Sequence, residues 1–160
     1  MAPRSGFAPR AALAALVLAL ALLAAPALAG GPSKGQTLYV PCYSHIYHGI
    51  KTRPIDLTIT LSARNTDPAR PVRLLEVDYY DTAGKLVKRH LEKPMVLEPL
   101  ATAEFIVGQT DVTGGSGANF LVRWSAEEPV SPLLVEAVMI GTSAQQGISF
   151  TSRGLPVAGR

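Results

Sequence analysis

The stretch of sequence that decides the fold of this chain is Ile55-Asp56-Leu57-Thr58-Ile59-Thr60-Leu61-Ser62-Ala63-Arg64. Apolar side chains occupy every second position from Ile55 to Ala63, and polar side chains fill the positions between them. Because neighbouring side chains of a β-strand point to opposite faces, this alternation predicts a strand with one buried face and one face toward water. Such strands are typical of antiparallel sheets.

The same period of two recurs along the rest of the chain, with turn residues between the repeats. Asn65-Thr66-Asp67-Pro68 predicts a turn, and Thr82-Ala83-Gly84 predicts a hairpin turn with Gly84 at positive φ. Further strands are predicted at Thr37–Tyr43, Val72–Asp81, Lys85–Glu92, Ala101–Val107, Ala118–Ala126, Leu133–Ile140 and Ile148–Ser152. Within them, the residues expected to face the core are Leu75, Val77, Tyr79 and Trp124, with Tyr80 on the opposite face from Tyr79.

Seven or eight short strands at intervals of roughly ten residues indicate an all-β fold, a single antiparallel sandwich of the immunoglobulin-like type. Leu97-Glu98-Pro99-Leu100 precedes one of the alternating segments, and we expect the chain to cross there from one sheet to the other. The chain has one cysteine, Cys42, so it lacks the intersheet disulfide of antibody domains.

An apolar segment at the N-terminus predicts export. Arg4 and Arg10 precede the run Ala11–Ala25, which is shorter than the roughly 20 residues that span a bilayer. Ala27-Leu28-Ala29 then supplies a small-x-small cleavage site. We expect a signal peptide at residues 1–29 that is cleaved after Ala29, and a protein exported to the periplasm or the medium without a stable membrane anchor. The remaining chain is expected to comprise a flexible leader (30–35), a sandwich domain (36–156) and a short tail (157–160).

Removal of that segment changes the charge of the chain. Two of the fifteen basic residues lie within it, so thirteen basic and twelve acidic residues remain, with a formal net charge of +1. Lys88-Arg89-His90 is then the only basic cluster, and nucleic-acid binding has little electrostatic support. Cys42 lies far from the cleavage site, which argues against a lipid-anchored lipoprotein, and it has no second cysteine in the chain with which to form a disulfide.

Six segments of the chain carry a resemblance to known proteins. They are Tyr43-Ser44-His45-Ile46-Tyr47-His48-Gly49, Asn65-Thr66-Asp67-Pro68, Val77-Asp78-Tyr79-Tyr80-Asp81, Gly114-Gly115-Ser116-Gly117-Ala118-Asn119-Phe120, Glu136–Ser143 and Gln145–Phe150. Together they resemble a bacterial family of small exported proteins known only as a domain of unknown function. The resemblance implies the class of protein but no activity and no catalytic residues.

Cys42-x-x-His45-x-x-His48 is the sharpest local pattern, because a thiolate and two imidazoles are ligands that zinc and copper accept. Residues three apart on a strand face opposite sides, so all three converge only if the chain turns near Ser44. His45 and His48 alone would converge on a loop. The alternative interpretation is a strand end with partly exposed imidazoles and a small buried thiol, since free cysteine usually packs as an apolar residue.

Two polar, amide-rich segments, Thr110–Asn119 and Thr142–Gly147, are predicted to be loops. Loops at one end of a sandwich can combine into a binding surface. The side chains that would hydrogen-bond a sugar, a peptide or a partner chain there are Ser116, Asn119, Gln145 and Gln146. The alternative is ordinary solvated turns whose side chains bond their own backbone.

Catalytic patterns are poorly supported. Gly114-Gly115-Ser116-Gly117-Ala118 departs from a nucleophile elbow, because Ala118 replaces the last glycine and a strand follows. The adjacent carboxylates Glu127 and Glu128 are expected in a solvated turn. We therefore predict an exported binding or accessory module of the cell envelope, which is not an enzyme, has no cofactor and binds an envelope protein or a glycan. The alternative prediction is a periplasmic zinc or copper protein that uses His45 and His48, with or without Cys42.

Overall fold

The computed structural model describes residues 31–143 and 146–158, and this part of the chain is all β, without a helix. It therefore contains no helix long and apolar enough to cross a membrane. The expectations for the signal peptide, its cleavage after Ala29, the candidate Gln145 and the last two residues lie outside the described residues.

Twelve strands form the described part of the chain, more than the seven or eight predicted. They are β1 (Ser33–Pro41), β2 (His45–His48), β3 (Arg53–Asp56), β4 (Thr58–Arg64), β5 (Val72–Tyr80), β6 (Leu86–Arg89), β7 (Met95–Leu97), β8 (Thr102–Val107), β9 (Asn119–Val130), β10 (Leu134–Ser143), β11 (Gln146–Arg153) and β12 (Leu155–Val157). Every pairing between them is antiparallel, which confirms the predicted fold class.

Two larger sheets and one hairpin contain all of these strands. The six-stranded sheet has the order β12-β1-β9-β5-β6, with β7 also paired to β5. The four-stranded sheet has the order β11-β10-β4-β8, and β2 pairs with β3 as a separate hairpin. The immunoglobulin-like connectivity stays a prediction.

The two larger sheets share one apolar core. Val40 and Trp124 come from the six-stranded sheet, Leu61 and Met139 come from the four-stranded sheet, and each is at most 1% exposed. Trp124 is therefore the core residue that its alternation predicted. Burying one large apolar side chain contributes about 1.5–3 kcal/mol, so these inward rows hold the sheets together.

The stretch from Ile55 to Arg64 shows the predicted alternation of buried and outward side chains, but it forms two strands instead of the single strand predicted. Its apolar members from Ile55 to Ala63 are all buried, whereas the pairing partner changes from β2 to β8 and β10. The change occurs at Leu57, whose N–H donates to Ser44 O at 2.8 Å. Strand β3 therefore belongs to the hairpin and β4 to the sheet.

The prediction that Leu75 faces the core is wrong, because a β-bulge interrupts β5 beside it. The register of β5 against β9 shifts between Leu74 and Glu76, so Leu74 takes the buried position and Leu75 is only half-buried. An extra residue at a bulge reverses the alternation beyond it. Val77 and Tyr79 are buried as predicted, and Tyr80 lies on the opposite face.

The N-terminal strand begins at Ser33, inside the segment 30–35 that was expected to be a flexible leader. Ser33 pairs with Val130, and its hydroxyl donates to Gly35 O at 2.8 Å. A Cβ at Gly35 would lie 2.6 Å from Trp124 O, so the close approach of β1 to β9 requires glycine. Strand β12 likewise extends to Val157, the first residue of the expected tail.

Two turn predictions are confirmed. Gly84 has φ +78°, and Asp81 Oδ1 accepts hydrogen bonds from Ala83 N and Lys85 N at 2.9 and 2.8 Å. The Leu97–Leu100 corner connects β7, in the six-stranded sheet, to β8, in the four-stranded sheet. The chain crosses between the sheets at this corner, as its sequence predicts.

Candidate functional site

Cys42, His45 and His48 do not form a metal centre. Cys42 is 1% exposed, and burial raises the pKa of its thiol to about 12, so the thiolate that a metal needs is disfavoured. His45 and His48 lie on β2, where residues three apart face opposite sides. Among the described residues, no group of three or more His, Cys, Asp or Glu side chains is placed to hold a metal ion.

His45 is engaged by its own hairpin. Its Nε2 lies 3.0 Å from the Tyr47 hydroxyl, and its Nδ1 lies 3.3 Å from Ser44 Oγ. The rings of His45 and Tyr47 meet edge to face with centroids 5.1 Å apart. The predicted alternative of a strand end with partly exposed imidazoles and a buried thiol is therefore correct.

The segment from Gly114 to Ala118 is a packed structural loop. Gly114 O accepts hydrogen bonds from Thr82 N at 2.9 Å and Thr82 Oγ1 at 3.0 Å, and Gly117 N donates to Thr82 Oγ1 at 3.0 Å. Gly115 O accepts from Ser44 N at 3.1 Å. The glycines let the backbone approach these side chains, and two of the segments that carry the family resemblance, those that contain Ser44 and Gly115, meet at this point.

The binding residues that were predicted from the two loops, as far as the structure describes them, lie in different parts of the fold. Ser116 is half-buried in the packed loop, and Gln146 is exposed at the start of β11, in the four-stranded sheet. Asn119 begins β9 and pairs with Pro41 and Tyr80 in the six-stranded sheet. Asn119 therefore borders the outer face of that sheet, where the described residues form a depression.

A cleft of about 630 Å³ lies on this outer face. Small-molecule sites usually enclose about 300–1,000 Å³. We call it the ion-pair cleft, after the ion pairs that Glu76, Asp78, Arg89 and Arg123 form in it; Glu92 is a fifth charged residue of its lining. Strands β1, β5, β6, β9 and β12 all contribute side chains to it, because outward-facing residues of neighbouring strands lie side by side.

Two cross-strand ion pairs organise the cleft. Arg123 on β9 donates a hydrogen bond to Glu76 on β5, and Arg89 Nε on β6 lies 3.8 Å from Asp78 Oδ2 on β5. Exposed pairs of this kind contribute at most about 1 kcal/mol to stability, so their main effect is to fix the positions of the four groups.

Asp78 is the most desolvated of the four groups. Its side chain is 14% exposed, against 72% for Arg89. Burial raises the pKa of the Asp78 carboxyl above its ordinary value, and this effect exceeds the lowering by the positive charge of Arg89. A carboxylate that has lost part of its water gains from additional hydrogen-bond donors, which a ligand can supply.

Apolar and hydroxyl side chains complete the lining. Leu75, Leu121 and Val157 contribute apolar surface, and Tyr80 and Thr37 add hydroxyl groups. Leu75 reaches the cleft only because the bulge in β5 turns it outward. The arrangement offers hydrogen-bond donors, acceptors and an aromatic ring on one surface, which suits the binding of a polar organic ligand.

Sequence reasoning missed this cleft. The sequence contains one indication of the cleft: the alternation of apolar and polar residues places Asp78 and Arg123 at outward positions of their strands. The pairing of β5 with both β9 and β6 is what brings four charges together, and no spacing in the sequence reveals it.

Comparison with known proteins identifies the family to which the chain belongs. The family model described as "Protein of unknown function (DUF3124)" matches residues 35–157. No curated protein matches the chain. A similar solved structure, titled "Crystal Structure of Thermotoga maritima 1070", has a TM-score of 0.46 and 9% identity over 79% of this chain and 95% of that chain. The family match spans nearly all of the described residues, and the chain therefore belongs to the DUF3124 family of proteins of unknown function.

Proposed function

We propose that the protein is an exported binding module of the cell envelope and that it binds its ligand in the ion-pair cleft. The observation that carries the proposal is the pair of cross-strand contacts, Glu76 with Arg123 and Asp78 with Arg89, which fixes polar groups around one depression. A site whose polar groups are held in place before binding loses less conformational entropy when the ligand arrives.

Export rests on the N-terminal segment. Arg4 and Arg10 precede an apolar run, and Ala27-Leu28-Ala29 follows it with small residues at the positions that a signal peptidase recognises. The proposal places the protein in the periplasm or the medium, where envelope glycans and envelope proteins are the available partners. Its mature N-terminus is then Gly30, which intact-mass measurement of the exported protein checks.

The cleft favours binding over catalysis. Two of the three carboxylates that line it, Glu76 and Asp78, are paired with arginines, whereas a general acid and base pair needs two carboxyl groups free to exchange protons with the substrate. The thiol of Cys42 is buried and protonated, so it does not serve as a nucleophile.

Co-sedimentation with purified peptidoglycan sacculi tests the proposal. The double variant Arg89→Ala/Arg123→Ala removes both cleft cations, and we expect its apparent affinity for sacculi to fall at least tenfold. Arg64→Ala is the matched control, because Arg64 forms a similar cross-strand pair with Glu136 at 4.0 Å, on β4 and β10 of the four-stranded sheet. Circular dichroism confirms that both variants are folded. Equal retention of the wild type and the cleft variant, or no retention of either, contradicts the proposal.

A further inference from the structure

We infer that the tip of the β2–β3 hairpin, residues 48–53, docks on an anionic lipid bilayer, with Ile50 inserted between the headgroups and two cations bound to lipid phosphates. Ile50 is 105% exposed, more than any other large apolar side chain of the described residues, and Leu100 follows at 67%. Single exposed apolar residues are common on protein surfaces, so this exposure alone identifies no partner. The position of Ile50 at the end of a projecting hairpin, with Lys51 and Arg53 beside it, does so.

The hairpin is fixed at its base and projects at its tip. Ile46 packs against the core and pairs with Ile55, which is 5% exposed. Toward the turn, the paired residues His48 and Arg53 are both exposed. Apart from its chain neighbours, no atom lies within 4 Å of the position that a Cβ would take at Gly49. The tip is therefore free to meet a flat surface.

The turn at the tip places Ile50 and Lys51 at its corner. Thr52 N donates to Gly49 O at 3.1 Å, which closes a four-residue turn. Thr52 has φ +51°, a left-handed conformation that a β-branched residue rarely adopts. Backbone strain of this kind is typical of segments that contact a ligand. Here it presents an apolar and a basic side chain together at the end of the hairpin.

The tip is also positively charged. Lys51 and Arg53 are exposed, and within the part of the chain that the structure describes neither has an ion-pair partner, in contrast to Arg89 and Arg123 of the cleft. The acidic residue of the hairpin, Asp56, lies at its base, about 10 Å along the strand from Arg53. A cation near an anionic bilayer raises the binding constant roughly fivefold. Charge complementarity therefore favours a surface rich in phosphate groups.

The size of the tip favours a bilayer over a protein partner. Stable protein interfaces use about 20–30 residues a side, far more than residues 48–53 provide. Binding to a bilayer needs no matching pocket, because its strength scales with the apolar area inserted and with the attraction between basic residues and anionic lipids. Tyr47, which is 54% exposed just behind the tip, adds an amphipathic ring of the kind found at the level of the headgroups.

The expected contact is weak and reversible. One inserted isoleucine and two cations together give half-maximal binding at roughly 1 mM lipid. Such binding concentrates the protein at the bilayer without anchoring it there. It is independent of the ion-pair cleft, because no residue of the tip belongs to the cleft lining.

Co-sedimentation of the exported protein with lipid vesicles tests the inference. The probes are vesicles of phosphatidylcholine alone and vesicles that also contain about 40% phosphatidylglycerol. We expect the binding constant to be about tenfold higher for the anionic vesicles, and to fall about fivefold between 50 and 500 mM salt because salt screens the attraction. Equal retention by both kinds of vesicle overturns the inference. Retention by neither at 5 mM lipid overturns it in favour of a protein partner.

A charge variant locates the contact at the tip. Lys51→Gln/Arg53→Gln should lower the binding constant for anionic vesicles about tenfold or more, because both cations near the phosphates are lost. Lys85→Gln/Lys93→Gln is the matched control, since it removes the same charge from two exposed lysines outside the hairpin, and it should change the constant less than about twofold. Equal losses in the two double variants overturn the inference.

An apolar variant tests insertion. Ile50→Ser should lower the binding constant about fivefold or more, whereas Ile106→Ser, at an isoleucine that is 59% exposed on β8, should change it less than about twofold. Circular dichroism confirms that each variant is folded. Equal binding by Ile50→Ser and wild type overturns the inference. Ile50→Ser should also retain binding to sacculi; a loss there equal to the loss on vesicles would assign the tip to the envelope polymer and overturn the inference as well.

Discussion

The two ends of the sandwich hold their loops in different ways. Where β4 leads into β5, two buried polar side chains bond the backbone of the loops, whereas at the opposite end glycines let the loop backbone pack closely against side chains that also bond it. Asn65 and Asp67 organise the first end, which we call the Asn65 end. The loop from Val112 to Ala118, together with Ser44 and Thr82, forms the second, which we call the Ser44 end. At both ends loops cover the shared core, but different contacts hold these loops in place.

The Asn65 end depends on two polar side chains. Asn65 is 2% exposed, and its Nδ2 lies within 3.2 Å of the carbonyl oxygens of Arg70, Leu97 and Glu98. Asp67 Oδ1 accepts hydrogen bonds from the backbone N–H groups that follow it, at 2.9 and 3.0 Å, and Oδ2 accepts one from Ser131 N at 3.4 Å. Two residues thereby join three connections of the chain.

The Ser44 end depends on glycines that let the loop backbone pack closely, in addition to the side chains of Ser44 and Thr82. Gly114 is buried against Tyr79 and Ala118, and a Cβ there would lie 1.9 Å from the Tyr79 hydroxyl. Ser44 O accepts the hydrogen bond of Leu57 N, and Ser44 Oγ donates to Val112 O and Gly115 O at 3.3 and 3.1 Å. The comparison shows that a loop fixed by its own polar side chains can be recognised from a short sequence motif. A loop fixed by close packing of its backbone cannot, because the residues it packs against are far away in the sequence.

The largest expected effect is at the Ser44 end. Gly114→Ala should destabilise the protein by about 3 kcal/mol or more, because Tyr79 is fully buried and packs on Phe120 with ring centroids 4.9 Å apart, so it cannot move aside. Gly108→Ala is the control, since nothing lies within 4 Å of its Cβ position, and it should change the free energy of unfolding by less than about 0.5 kcal/mol. Urea unfolding measures both, and equal values would show that the loop yields easily.

A smaller effect is expected at the Asn65 end. Asn65→Ala should lower the free energy of unfolding by about 2–3 kcal/mol, because it leaves buried carbonyl groups without a donor. Thr66→Ala provides the comparison at an adjacent position, where one exposed hydroxyl donates to Pro132 O, and should cost less than about 1 kcal/mol. A loss at Asn65 no greater than at Thr66 would contradict the role assigned to the amide.

The smallest effect is a pH dependence of stability at the Asn65 end. Hydrogen bonds from Ala69 N and other backbone groups lower the pKa of the Asp67 carboxyl. Its contribution to stability is therefore complete above the unfolded-state pKa near 3.8 and is lost as the pH falls through the folded-state value. Unfolding curves between pH 2 and 6 should show a steeper acid loss for wild type than for Asp67→Asn.

The Ser44 end should not contribute to that acid loss. Burial raises the pKa of the Cys42 thiol to about 12 and raises that of the Tyr79 hydroxyl further, so both stay protonated across the acid range. A Cys42→Ala variant should therefore show the same slope of stability against pH as wild type between pH 2 and 6. A different slope would show that acid acts on both ends.

Much of the Asn65 end could be predicted from the sequence. Asn65-Thr66-Asp67-Pro68 reads as a turn because Asn and Asp bond the backbone two residues on, and Asp67 N donates to Asn65 Oδ1 at 3.0 Å. The sequence predicted the structure of the Ser44 end less specifically. Its glycines indicated a tight connection, but the identities of Thr82 and Ser44 as partners depend on segments more than thirty residues away.

The candidate site was predicted only in part. Asn119 was named from the sequence and lies beside the ion-pair cleft, whereas Ser116 lies in the packed loop and Gln146 belongs to the other sheet. Cys42, His45 and His48 do not belong to any group of three or more candidate metal ligands among the described residues, because Cys42 is buried in the core and His45 and His48 lie on β2, where residues three apart face opposite sides.

The sequence by itself determined the antiparallel β class, most of the residues that face inward, the turns at Asn65 and Gly84, and the expectation of export, because each depends on neighbouring residues. Only the tertiary structure decided that β5 lies between β9 and β6, that a bulge turns Leu75 outward, and that Glu76, Asp78, Arg89 and Arg123 share one cleft. The physical reason is that strands pair through backbone hydrogen bonds, which are the same for every residue, so the choice of neighbour depends on how the whole chain packs.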